Sequence, residues 1–131
     1  MTAKTLFTGT THVTSGPDGV GRSADGYLDV SLAEPHPAAE NLFAAAWSAC
    51  YLGAIGLVAQ QRKVALPVHP SVDAEIKLNH GEGGFSLAAH FAVNIPGVDT
   101  DVAQKLIALA HQVCPYSKAT HGNIAVETVL V

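Results

Sequence analysis

Two cysteines carry the most evident chemistry in this chain. Cys50 lies in "NLFAAAWSACYLGAIGLVA", residues 41–59, a run without Lys, Arg, Asp or Glu. Cys114 lies in "VCPYSKATHGNI", residues 113–124. An ionised thiol is a nucleophile and a metal ligand, whereas a protonated thiol packs like a small hydrophobe. For Cys50, an inert core, an insulated reaction centre and a membrane span are each open from these residues alone.

The composition narrows these choices. With 131 residues, 48% of them hydrophobic, and a formal net charge of -4, we expect one soluble domain over residues 1–131. The mild negative charge gives no footprint for nucleic acid or for an anionic membrane surface. The polar start "MTAKTLFTGT" has no apolar signal segment, so we expect a cytoplasmic location. The charge-free run is rich in Ala and Gly, which favours a helix buried by its own protein or by a partner subunit over a membrane span.

Alternating apolar residues predict the strands. Residues 71–79 and 85–95 alternate clearly, and the glycines of "HGEGG" between them predict a hairpin. Residues 5–14 and 26–33 are predicted as a second hairpin, joined by the loop "SGPDGVGRSAD". The β-branched run at 123–131 is predicted to close a sheet.

Two helices separate the strands. The first is predicted to begin near Pro37, because proline suits an early helical position, and to continue to about Arg62. The second is predicted to start in the acidic "DTD" at 99–101 and to stop at Cys114, because the residue before Pro115 avoids helical geometry. The predicted order is β-β-α-β-β-α-β. We therefore expect an α+β fold with antiparallel sheets packed on a long buried central helix.

The residues around the two cysteines leave several roles for them. A structural disulfide is disfavoured by a cytoplasmic location. A zinc site needs about four closely spaced ligands, and the seven histidines are scattered along the chain. Two inert thiols and two reactive thiols both remain possible from composition.

Two stretches resemble a known family. "ENLFAAAWSAC", residues 40–50, and "VCPYSKATHGNI" together resemble the organic hydroperoxide resistance proteins, a branch of the osmotically inducible (OsmC-like) protein superfamily. The resemblance implies a thiol peroxidase without metal or haem. It also implies that Cys50 is the peroxidatic cysteine, that Cys114 is the resolving cysteine, and that Glu40 is the acidic residue opening the cysteine-bearing helix.

The family also uses an arginine from the first hairpin loop to hold the thiolate. The usual Gly-Gly-Arg pattern is replaced here by "SGPDGVGR", and we assign the role to Arg22. Two more departures are His121, where the family has arginine, and a missing glycine-rich loop before the cysteine helix. They leave substrate access and the placement of Glu40 open.

These residue types suit peroxide reduction. Burial alone makes a thiol harder to ionise, so a guanidinium such as that of Arg22 must offset the cost. Glu40 is expected to hold that guanidinium. Trp47, Tyr51 and Tyr116 are candidates to line an apolar substrate pocket, with plain core packing an equal alternative for Trp47 and Tyr51.

Partners follow partly from geometry and partly from the resemblance. Ten residues of straight helix separate Glu40 from Cys50 by roughly 15 Å, which points, like the resemblance, to an intertwined homodimer. The resemblance implies a lipoylated protein, or another dithiol, as the reductant. The alternatives are a non-enzymatic redox sensor or apolar-ligand binder on the same fold, and a peroxidase of the osmotic-stress sister branch.

Overall fold

The computed structural model describes residues 2–33 and 38–131. They fall into two compact units, Met1–Ala39 and Glu40–Val131. Each unit carries one three-stranded sheet. A mixed α+β fold, as predicted, is confirmed.

The first unit is a small antiparallel sheet. Its strands are β1 (Thr11–Val13), β2 (Val20–Ser23) and β3 (Asp29–Ser31), in the order β1-β2-β3. The predicted direct hairpin between residues 5–14 and 26–33 is wrong, because β2 lies between their strands. The glycines of "SGPDGVGRSAD" predicted a loop throughout, yet only Gly16 and Gly19 lie in the turn before β2, where the N–H of Gly19 donates to the carbonyl of Gly16, and Gly21 lies within β2.

The sheet of the second unit contains β4 (Ser71–Gly81), β5 (Gly84–Asn94) and β6 (Ala125–Leu130). The predicted hairpin is confirmed, since β4 and β5 pair antiparallel along their whole length and Gly84 has a positive φ of 90° at the turn. The predicted last strand is also present. It pairs parallel to β5, so the expectation of purely antiparallel sheets is wrong. A parallel neighbour requires a crossover connection, which helices supply here.

Three helices accompany the second sheet, and the first of them begins two residues before the second unit. They are α1 (Ala38–Gln61), α2 (Thr100–Val113) and α3 (Pro115–Thr120). The predicted start of α1 at Pro37 lies outside the described residues. The side chain of Asp99 caps α2 by accepting from the N–H of Asp101 at 3.0 Å. The short helix α3, which follows Cys114 at once, was not predicted.

The core of the second unit lies between α1, α2 and β5. Its largest fully buried side chains come from all three elements: Trp47, Tyr51, Ile55, Phe91, Val93 and Leu106. By length and composition α1 could cross a membrane, and a third of that segment is buried inside the molecule. Its buried face contributes Trp47, Tyr51 and Ile55 to the core.

The other face of α1 is exposed in this chain. Small and apolar residues recur along it at a spacing of four, which places them in one row on the helix surface: Ala45, Ala49, Gly53 and Leu57. The helix was expected to be buried by its own protein or by a partner subunit, and its own chain covers one face only.

Candidate functional site

The elements of the second unit place the two cysteines next to each other. Cys50 is half-buried in the middle of α1, and Cys114 is fully buried where α2 meets α3. The N–H of Cys114 donates to the carbonyl of Ala110 at 2.8 Å, which ends α2. Pro115 then starts α3, because its fixed φ and missing N–H suit the first helical position.

The two sulfurs are in direct contact. The Sγ atoms of Cys50 and Cys114 are 3.3 Å apart, within hydrogen-bond distance, and both cysteines are free. The backbone N–H of Ser117 donates to the Sγ of Cys114 at 3.5 Å, so this sulfur caps α3. A disulfide needs an S–S distance of about 2.05 Å, so the thiols lie within roughly 1.3 Å of bonding distance.

The surroundings of Cys50 within its unit favour the neutral thiol. Burial raises the pKa of Cys50, and the adjacent Cys114 thiol raises it further. The backbone N–H of Tyr116 faces the Cys50 sulfur and acts in the opposite direction, because a donor stabilises the thiolate. A fast nucleophile at this position therefore needs a further donor or a cation.

A chain of hydrogen bonds lies behind the Cys114 turn. The indole Nε1 of Trp47 donates to the Oγ of Ser117 at 3.0 Å. The same oxygen is 2.8 Å from Nδ1 of His111, whose Nε2 is 2.8 Å from Oγ1 of Thr128. Burial lowers the pKa of His111, and nearby His121 lowers it further, so the neutral imidazole is favoured.

The aromatic candidates for a substrate pocket take different places. Trp47 is fully buried and packs edge-on against Phe91, with ring centroids 4.7 Å apart, yet it also lines a cavity of 220 Å³ with His111 and Ser117. Tyr51 is fully buried, and its hydroxyl donates to the carbonyl of Ile107 at 2.9 Å. Tyr116 is 44% exposed. Their role at a substrate stays a prediction.

Arg22 and Glu40 lie in different units. Arg22 is on β2, where its Nε donates to Oδ1 of Asp29 at 3.1 Å, with both side chains mostly exposed. Such an exposed pair contributes about 1 kcal/mol or less to stability. Glu40 stands in the first turn of α1 and is half-buried. The roles of Arg22 and Glu40 at the thiolate stay predictions.

The histidines of the described ranges do not form a metal centre. Across residues 2–33 and 38–131, no group of three His, Cys, Asp or Glu side chains is placed to hold a metal ion. His90, on the outer face of the second sheet, lies between the carboxylates of Glu75 and Glu127, at 3.8 and 3.4 Å.

The sequence pointed to the two thiols, but not to the hydrogen bonds of Ser117 that lie behind them. The hydrogen bonds of Ser117 join residues up to 70 positions apart, and no local pattern reports such a contact. In the sequence, the histidine of "AHQVC", His111, lies three residues before Cys114, and this spacing gives no sign of its contact with Ser117.

Comparison with known proteins identifies the family of this chain. Residues 32–129 match the family model described as OsmC-like protein. The organic hydroperoxide resistance protein of Xanthomonas axonopodis pv. citri is 38% identical, over 97% of this chain and 96% of its own length. The crystal structure of an organic hydroperoxide resistance protein from Elizabethkingia anophelis superposes with a TM-score of 0.88 at 38% identity, covering 98% of both chains. That of OhrB from Bacillus subtilis gives 0.84 at 35% identity, covering 97% of this chain and 100% of its own.

The matched model spans about three quarters of the chain, and the relatives match it nearly end to end. This α+β protein, with one thiol in the middle of α1 and the other at the end of α2, belongs to the OsmC-like family, within the branch of organic hydroperoxide resistance proteins.

Proposed function

We propose that this protein is a cysteine-based peroxidase that reduces organic hydroperoxides to alcohols. The observation that carries the proposal is the contact of 3.3 Å between the sulfurs of Cys50 and Cys114. The names of the relatives from Xanthomonas and Bacillus, organic hydroperoxide resistance proteins, support the choice of substrate class. A place in the defence against oxidative stress follows from that choice.

The proposed cycle has three balanced steps. The Cys50 thiolate attacks the outer oxygen of the hydroperoxide, the O–O bond breaks, and the alkoxide leaves as the alcohol after taking a proton. The sulfenic acid on Cys50 then condenses with the thiol of Cys114, which forms the disulfide and releases water. An external dithiol finally reduces the disulfide by thiol–disulfide exchange and becomes a disulfide itself.

The first step requires Cys50 to ionise against the effect of its burial. We propose that Arg22 supplies the positive charge and a hydrogen-bond donor for the peroxide, and that Glu40 orients the guanidinium. The N–H of Tyr116 faces the same sulfur and assists. The fully buried Trp47 and Tyr51 and the exposed ring of Tyr116 are proposed as apolar neighbours of the substrate.

We also propose that the protein works as a homodimer. The exposed apolar row of Ala45, Ala49, Gly53 and Leu57 gives α1 a face that a second copy can cover. Small residues let two helices approach closely. Glu40 lies about 15 Å along the helix from Cys50 of the same chain. We propose that the Glu40 near each Cys50 comes from the second copy.

The reductant is proposed to be a dihydrolipoyl group on a protein or another small dithiol, with no metal or haem, in the cytoplasm. A dithiol suits the disulfide of Cys50 and Cys114 because its second thiol closes a ring and releases the protein from the mixed disulfide.

Replacing each cysteine by serine tests the proposal. We expect Cys50→Ser to abolish the reduction of cumene hydroperoxide in the presence of dihydrolipoamide. We expect Cys114→Ser to consume about one equivalent and then stop, since no second thiol resolves the sulfenic acid. Retained turnover in Cys50→Ser would end the proposal.

The same assay separates the peroxidase from a redox sensor. The raised pKa of Cys50 within its unit is the observation that favours a slow, sensing thiol. A sensor would oxidise once and would not be recycled rapidly by dihydrolipoamide, whereas a peroxidase turns over many times. A ligand binder would leave both thiols reduced.

A further inference from the structure

The residues behind the thiol pair form a connected polar network inside the second unit. Ser117 is 4% exposed, and its Oγ has two partners, Nε1 of Trp47 and Nδ1 of His111. His111 in turn reaches Thr128 on β6. The ring of Tyr51 stacks on His111, with centroids 4.2 Å apart, which fixes the plane of the imidazole.

The directions of these bonds follow from which groups can donate. An indole nitrogen only donates, so Ser117 accepts from Trp47 and keeps its own hydrogen for His111. We assign the imidazole hydrogen to Nε2, which donates to Thr128, while Nδ1 accepts from Ser117. The network then has a partner for every polar atom in it, and such buried networks hold their members rigidly.

Ser117 connects this network to the sulfurs. Its backbone N–H donates to the Sγ of Cys114 at 3.5 Å, and the preceding amide, that of Tyr116, faces the Sγ of Cys50. A side chain that fixes Ser117 therefore also fixes the turn that presents both amides. The cavity of 220 Å³ beside His111 and Ser117 leaves room for this turn to shift if the network is broken.

We infer that His111 is a positioning residue for disulfide formation: through Nδ1 it holds Ser117, and Ser117 holds the Cys114 sulfur against Cys50. The inference rests on the proposed function, in which this disulfide is the second step. His111 touches neither sulfur nor substrate in this role. It raises the effective concentration of one thiol at the other, which depends on small displacements.

Two substitutions of His111 separate its two hydrogen bonds. In His111→Asn the side-chain amide takes the place of Nδ1 and keeps the bond to Ser117, while the bond to Thr128 is lost. In His111→Gln the longer amide takes the place of Nε2, which keeps Thr128 and loses Ser117. We expect the equilibrium constant for the Cys50–Cys114 disulfide, measured in glutathione redox buffers, to fall about tenfold in His111→Gln and to stay within about threefold of wild type in His111→Asn.

Matched variants identify the partner through which His111 acts. Thr128→Val keeps the shape of the side chain and removes only its hydrogen bond to Nε2 of His111. We therefore expect its equilibrium constant for the disulfide to stay near that of wild type. Ser117→Ala is expected to lose as much as His111→Gln, and the double variant to lose no more, because the two residues act through one contact. His90→Ala, at a histidine that contacts carboxylates instead, is the control.

The outcomes decide the inference separately from the proposed function. Equal effects of the Asn and Gln variants would show that His111 only fills space. Additive losses in the double variant would show that His111 acts independently of Ser117. Either result overturns the inference. Urea unfolding of each variant confirms that the measured protein is folded. If the glutathione constants follow the expected pattern while the wild type fails to reduce cumene hydroperoxide, the proposed function fails and the positioning role stands. If the wild type reduces the hydroperoxide and the pattern is absent, only the positioning role fails.

Discussion

Closing the disulfide between Cys50 and Cys114 should strongly stabilise the second unit against unfolding. The two residues are 64 positions apart, and a cross-link over a loop of that length removes chain entropy from the unfolded state worth about 4 kcal/mol at 25 °C. The sulfurs are already 3.3 Å apart in the reduced protein. Because the remaining movement of roughly 1.3 Å is small, we expect most of this gain, about 3–4 kcal/mol, to appear in the free energy of unfolding.

Urea denaturation measures the effect. The chain's one tryptophan, Trp47, is fully buried in the unit that carries both thiols, so its fluorescence reports the unfolding of that unit. For slopes of about 1–3 kcal/mol per molar urea, the midpoint of the oxidised protein should lie roughly 1–4 M above that of the reduced protein. Titration of free thiols establishes the redox state of each sample.

Cys114→Ser is the matched control. Serine at this position still caps α3, since its oxygen accepts the N–H that the sulfur accepts in wild type. Its unfolding curves under oxidising and reducing conditions should coincide. An oxidised wild type with a verified disulfide and an unchanged or lower midpoint would refute the reasoning, because the folded chain would then have to distort to close the bond.

Further predictions concern His111, the arginines and the core. Acidification below about pH 6.5 should lower the free energy of unfolding, because the unfolded chain protonates His111 while burial lowers its pKa in the folded chain. In His111→Asn this part of the loss should vanish, and parallel pH profiles of the two proteins would contradict the assignment. Arg22→Ala should raise the pKa of Cys50, whereas Arg62→Ala should not. The pKa is read from the pH dependence of alkylation by iodoacetamide, in a Cys114→Ser background. If Arg22→Ala titrates like its parent, Arg22 has no role at the thiolate. Leu106→Ala, at a fully buried position, should cost about 2–5 kcal/mol in urea unfolding, and a loss below 1 kcal/mol would show that the core relaxes around the gap.

Much of the second unit could be predicted because its signals are local. The alternation in β4 and β5 and the glycines between them specify a hairpin whatever the rest of the chain does. The β2 strand was missed because Val20–Ser23 is short, follows Gly19 and contains Gly21, so the segment looks like a turn. The parallel pairing of β6 is a tertiary choice, and a short apolar strand carries no local mark of its partner's direction.

Some features of the site were also predictable from local sequence, and others were not. The identity of the two thiols followed from motif residues, and the stop of α2 at Cys114 followed from Pro115. The hydrogen bond from Trp47 to Ser117 joins residues 70 positions apart, which only the packed structure reveals. The role of Arg22 was assigned from the family's Gly-Gly-Arg pattern, which this chain replaces with "SGPDGVGR". The sequence therefore names a candidate arginine but does not predict where its guanidinium lies.

The parallel pairing of β6 with β5 also bears on the order in which the chain folds. The β4–β5 hairpin closes locally, but β6 finds its register only after the crossover from Asn94 to Ala125 has been laid over the sheet. Cys114 lies inside that crossover, so we expect it to arrive beside Cys50 in the same late event that seats the last strand. A newly made chain would thus bring its two thiols into lasting contact only when the fold is nearly complete.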